Sequence, residues 1–149
     1  MKVKALDHIA VTVSDTQRSL DFYCGLLGLK QVEQHQLAAE DVKKANAIEN
    51  ARGQSTRLTA PETPGILIDL LEFFELPKNS EAVAPGVVGA THFALSVENL
   101  QEAYETLKAK GVKFDAEPVT FPLDTGSVTV VFLSDPDGNS IELVDQTSH

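Results

Sequence analysis

The chain has 149 residues, 22 acidic against 12 basic side chains, a formal net charge of −10 and 42% hydrophobic content, which is the size and make-up of one ordinary soluble domain that buries a core without staples. Its lone cysteine, Cys24, excludes an internal disulfide framework, and its longest apolar run, Ile66 to Phe74, is too short for a membrane span and is interrupted by Asp69 and Glu72. No signal-peptide order opens the chain and no basic cluster relieves its acidity, so a cytoplasmic protein with no nucleic-acid or membrane partner is expected.

In chain order, Leu6 to Val13 alternates as a strand, and Ser14 with Gln17 makes a candidate capping box for a helix carrying Leu20, Phe22, Tyr23, Leu26 and Leu27. Gly28 suits the left-handed residue that ends such a helix. Strands are expected over Leu29 to Glu33, Ser55 to Thr59 and Ile66 to Phe74, the last two joined by a turn at Pro61, Pro64 and Gly65. The composition between Leu37 and Ala51 suits a short helix, and Pro77 to Gly89 reads as a linker. Beyond it Ala90 to Val97 forms a strand, and Asn99 with Glu102 opens a helix that carries Ala103, Tyr104 and Leu107 and closes at Lys108, Lys110 and Gly111. Val112 to Phe114, Ser127 to Leu133 and Ser140 to Val144 complete the strands, with a turn at Asp135-Pro136-Asp137-Gly138.

The two halves repeat each other. Leu6-Asp7-His8-Ile9-Ala10-Val11-Thr12-Val13 lies on Ala90-Thr91-His92-Phe93-Ala94-Leu95-Ser96-Val97 at an offset of 84 residues (92 − 8), matching His to His, Ala to Ala and Val to Val. The pattern is βαβββ twice, an α+β fold with module one at 1–76, a linker at 77–89 and module two at 90–149 within one domain. Alternation sets His8 beside Ala10 and Thr12, and His92 beside Ala94 and Ser96, so each histidine faces open space lined by small residues while the bulky face packs on helices. Glu142 stands alone between Ile141 and Leu143, and laying Ile68-Asp69-Leu70-Leu71 on Ile141-Glu142-Leu143-Val144 matches Asp69 to it. Glu72 faces opposite to Asp69 unless a bulge reverses the parity, in which case Glu72 replaces it. Two imidazoles and two carboxylates, His8, Asp69, His92 and Glu142, make a site for Zn, Ni, Co, Fe or Mn with positions left for water or substrate oxygens.

These residues carry a family likeness. Leu6-Asp7-His8-Ile9-Ala10-Val11, Ser19-Leu20-Asp21-Phe22-Tyr23 and Leu27-Gly28-Leu29, together with Thr91-His92-Phe93-Ala94-Leu95 and the run from Asp135 to Leu143, resemble vicinal oxygen chelate proteins, the glyoxalase, bleomycin resistance and dioxygenase superfamily. The resemblance implies paired modules forming a cupped mixed sheet with helices outside, a divalent metal held by His8, Asp69, His92 and Glu142, a small-molecule substrate and a homodimer. The modules pair either within a chain or across that dimer.

Departures narrow the reaction. Extradiol dioxygenases carry a tyrosine where this chain has Phe132 and a histidine upstream of it; no histidine lies between His92 and His149. Glyoxalase I resembles the chain across Asp15 to Tyr23, but Thr12 stands where that enzyme has the arginine that reaches the glutathione carboxylate. Methylmalonyl-CoA epimerase has a catalytic glutamate ahead of its third strand, where only Glu49 lies loosely near. Asp69 is shorter than the Glu or Gln usual at its position.

The remaining residues have plainer roles. Arg57 either meets an anionic substrate or forms an ion pair; Phe73, Phe121 and Phe132 either line a pocket or fill it. Tyr23 and Tyr104 are expected in the core, Cys24 as packing, and His35 and His149 at the surface. The expected function is a metal-dependent, glyoxalase-like lyase or isomerase acting on an oxygenated, chelating substrate, with Glu142, or alternatively Asp69, moving the proton. The alternative is a binding protein of the drug-resistance kind that holds a ligand in the same cavity without turnover.

Overall fold

A computed structural model describes residues 2–62, 65–78 and 83–148. Pro64 of the expected turn, residues 79–82 of the expected linker and His149 lie outside them. The chain divides into two compact units, Met1–Asn79 and Ser80–His149. In the first, β1 (His8–Thr12), α1 (Thr16–Tyr23), β2 (Lys30–Leu37), α2 (Ala39–Asn46), β3 (Gly53–Thr59) and β4 (Leu67–Phe73) follow in order. In the second come β5 (His92–Ser96), α3 (Leu100–Ala109), β6 (Val119–Leu123), β7 (Gly126–Ser134) and β8 (Ser140–Ser148). The sheets run β1-β4-β3-β2 and β5-β8-β7-β6. In each, the first strand pairs parallel with the last, and the other pairs are antiparallel. This is the α+β, twice-βαβββ architecture expected from the repeat.

Each unit buries one sheet face under its helix. In the first, Val11, Leu58, Ile68 and Leu70 are buried with Phe22 and Tyr23 of α1; in the second, Phe93, Val131, Leu133, Ile141 and Leu143 are buried with Leu100, Tyr104 and Leu107 of α3. Tyr104 meets Phe114 edge to face at 4.8 Å, and both tyrosines are core residues. Gly28 at φ 79° and Gly111 at φ 86° turn the chain from helix towards strand in a conformation that glycine alone adopts without cost.

Two local expectations are corrected. The first helix is capped by Asp15 rather than Ser14: the Asp15 carboxylate accepts from the Arg18 backbone N–H at 2.9 Å, because a carboxylate one residue later reaches the same free N–H groups. The strand expected over Val112 to Phe114 is only a bridge between Phe114 and Leu133, and the pairing is made by β6, whose Pro122 is tolerated because the strand lies at the sheet edge. The helix expected between Leu37 and Ala51 forms as α2. Asn99 accepts from the Glu102 N–H at 3.4 Å, and its side-chain amide donates to the Glu102 carboxylate.

A second carboxylate in each unit reaches its helix from below. Glu72 on β4 accepts from the Thr16 backbone N–H at 3.0 Å and from the Thr16 hydroxyl at 2.8 Å. Asp145 on β8 accepts from the Leu100 N–H at 3.2 Å. Thr16 and Leu100 are equivalent under the 84-residue offset, and Glu72 and Asp145 under the 73-residue offset that relates Asp69 to Glu142. Negative charge beneath the first helical turn satisfies its unpaired N–H groups and opposes the helix dipole. Burial raises the Glu72 pKa, but Lys78, Thr16 and Gln54 together outweigh it and hold the carboxyl at about 2.

A folded-state pKa below the ordinary glutamate value means stability that is present above about pH 4.5 and is lost as the pH falls towards about 2. Glu72→Gln is expected to cost about 2 kcal/mol at pH 7 and to flatten the acid limb of the stability profile. Urea unfolding at pH 7 and across the acid range measures both; an unchanged pH profile would show that the carboxylate does not carry this linkage.

Candidate metal centre

The open face of each sheet lies opposite its helix. Parallel pairing sets Ala10 beside Asp69 in the first unit and Ala94 beside Glu142 in the second. Partners in register share a face, so His8 and Asp69 lie on one face of one sheet, His92 and Glu142 on one face of the other, each carboxylate displaced from its histidine by the same step. β3 and β4 pair without a register shift from Gly53 to Thr59, so Glu72 stays on the helix side.

The pairs differ in what surrounds them. In the second unit the His92 Nε2 and Glu142 Oε2 atoms are 3.4 Å apart. Phe132, in register with Glu142, packs edge to face against the His92 ring at 5.2 Å. Val119, Phe121 and Leu123 of β6 continue that face through their pairing with β7 and are 48%, 50% and 43% exposed. No Lys or Arg occurs in any strand of this sheet. The wall beside Glu142 is therefore apolar.

The first unit presents charge instead. His8 Nδ1 lies 2.8 Å from Asp7 Oδ2, and that hydrogen bond, followed by the charge interaction with His8, lowers the Asp7 pKa. A neutral His8 donating there through Nδ1 keeps the Nε2 lone pair available to a cation. Asp69 is buried; it accepts from the Ser55 hydroxyl at 2.5 Å, and its Oδ2 lies 3.7 Å from Arg57 Nε. Arg57, in register with both Asp69 and Glu33, donates from its NH1 nitrogen to Glu33 at 2.7 Å. Glu33 in turn lies 3.1 Å from His35. The Glu33 hydrogen bond and the Asp69 charge raise the Arg57 pKa against the opposing effect of burial.

Of the two roles open to Arg57, the ion pair is formed. Asp7, Ser55 and Phe132 are neighbours of the candidate ligands that sequence patterning does not reveal. Asp7 precedes β1 in irregular backbone, so strand parity gives no guide to where its side chain reaches. Glu49 pairs with Lys43 at 3.1 Å on the surface, and His35 is exposed as expected.

Among the described residues no three His, Cys, Asp or Glu side chains form a ready metal cluster; of the four candidate ligands, each unit carries one imidazole and one carboxylate. That donor chemistry fits a borderline divalent cation. It fits better in the second unit, where Glu142 is longer and, among the described residues, is held by no other hydrogen-bond donor, than in the first, where Ser55 and Arg57 address both oxygens of Asp69.

Residues 5–143 match the model of the Glyoxalase/Bleomycin resistance protein/Dioxygenase superfamily, and the chain belongs to that family. The lactoylglutathione lyase of Escherichia coli O157:H7 is 31% identical over 139 residues, covering 93% of this chain and 90% of that protein. The probable lactoylglutathione lyase of a Synechocystis strain is 27% identical, with 95% of each covered. Among solved structures, a glyoxalase family protein from Bacillus cereus superposes with a TM-score of 0.84 at 15% identity, covering 99% of this chain and 97% of that one. The trypanothione-dependent glyoxalase I of Leishmania major gives 0.64 at 24%, covering 96% and 87%.

The turn before β8 places Glu142. Asp135 is buried, and its carboxylate accepts from the backbone N–H groups of Asp137 and Asn139 and from the Asn139 amide at 2.8 to 2.9 Å. Gly138 takes φ 87° within the turn. Asp135→Ala leaves these donors without their acceptor and is expected to cost about 2 kcal/mol, measurable as a lowered denaturation midpoint with an unchanged slope.

Proposed function

We propose that this protein is a divalent-metal-dependent lyase or isomerase of glyoxalase-like type, with His8, Asp69, His92 and Glu142 as metal ligands and Glu142 as the group that moves the proton. The observation that carries the reading is the repeated placement of an imidazole and a carboxylate on the open face of both sheets, in a chain whose curated relatives are lactoylglutathione lyases. A divalent ion would supply Lewis-acid polarisation of neighbouring substrate oxygens. His8 would bind through Nε2 with Asp7 behind it, and Asp69 would be a fixed ligand held by Ser55. Glu142 has the longer side chain and an apolar neighbour in Phe132, which suit a carboxylate that takes a proton from one carbon and returns it to the next.

The substrate is a small oxygenated molecule rather than one recognised through a glutathione carboxylate at the first strand, because Thr12 offers no positive charge there. A second reading has its own support: the exposed Val119, Phe121 and Leu123 suit a protein that holds an apolar ligand without turnover.

Elemental analysis of protein purified without added metal is expected to find a divalent ion, and chelation to abolish turnover of a panel of vicinal-oxygen substrates that includes the one used by lactoylglutathione lyases. His8→Ala and His92→Ala should lose metal and activity together, and Glu142→Gln should lower kcat by about 10²-fold or more. Full activity in a demetallated sample would reject the metal-dependent reading; stoichiometric binding indifferent to chelators, without turnover, would favour the second.

A further inference from the structure

Asp69 and Glu142 occupy equivalent places in the two sheets, yet among the described residues only Asp69 has a Lys or Arg side chain beside it. Arg57 stands between two carboxylates in register on the neighbouring strands, with its NH1 group on Glu33 at 2.7 Å and its Nε 3.7 Å from Asp69 Oδ2. That Nε is buried and donates no hydrogen bond, so the negative charge of Asp69 is what compensates it. Asp69 is itself buried, and a buried carboxylate without a counter-charge is costly. Each group therefore supplies what the other lacks while no metal is bound.

We propose that Arg57 is a built-in counter-ion that competes with the divalent cation for Asp69, and that Glu33 draws the guanidinium away and so favours metal binding. The inference rests on Asp69 being a metal ligand, as proposed above. A cation bound at Asp69 Oδ2 would lie within a few ångströms of a fixed positive charge, where repulsion is strong in a poorly hydrated setting. Arg57 thus acts through Asp69 as a positioning residue that keeps the carboxylate aligned without metal and lowers affinity for the ion. The second unit has no such device, since its strands carry no Lys or Arg.

The two neighbours predict opposite signs, which separates this role from general damage to the fold. In calorimetric titrations of the metal-stripped full chain with Zn²⁺ alone, Arg57→Gln is expected to bind about tenfold more tightly than wild type. Glu33→Gln, which leaves Asp69 as the remaining carboxylate partner of Arg57, is expected to bind several-fold more weakly. In an Asp69→Asn background, Arg57→Gln should change the affinity little. Unchanged or weaker binding by Arg57→Gln alongside normal wild-type binding overturns the Arg57 proposal alone. Absence of Zn²⁺ binding in wild type and both variants overturns it together with the metal-site reading.

Discussion

In each unit the first strand runs parallel to the last, and this pairing fixes what the two acidic residues of that last strand can do. Asp69 and Glu72 are three residues apart, as are Glu142 and Asp145, so each pair must divide between the two faces of its sheet. The outer member satisfies the first turn of the helix, and the inner one stands beside the small residue two positions after the histidine. A one-residue slip would bring the helix-capping acid to the open face and bury the other against the helix without its partners. The helix that covers the core and the carboxylate that faces the histidine are therefore held by the same register.

The two open faces have diverged around this shared frame. On the first sheet a chain of charge runs from His35 through Glu33 and Arg57 to Asp69 and Ser55. On the second, Phe132 and the exposed apolar residues of β6 stand beside His92 and Glu142. A carboxylate among hydrogen-bond donors is fixed in place, whereas one beside an aromatic edge with a longer side chain retains freedom to move. Within the proposed reaction, the asymmetry favours an anchoring role for Asp69 and a proton-moving role for Glu142.

Family membership restricts the chemistry without naming the substrate. Two of the chain's relatives are lactoylglutathione lyases at about 30% identity, and Thr12 on the first strand carries no charge.

The amino-acid sequence by itself determined the repeat, the strand parity and hence the βαβββ order, because alternation, capping residues and glycines act within a few residues of chain. It placed His8, His92 and Glu142 on open faces and matched Asp69 to Glu142 by the same local logic. It set the strand at Val112 to Phe114 instead of β6, where Pro122 is compatible with pairing only at the edge position that the sheet order decides, and it misjudged the first helix cap by one residue. Only the tertiary structure decided the surroundings of each acid. Glu72 meets Thr16 across 56 residues, Asp69 meets Ser55 across 14 and Arg57 meets Glu33 across 24. Such contacts depend on the register between strands distant in sequence, which local patterning constrains but does not set.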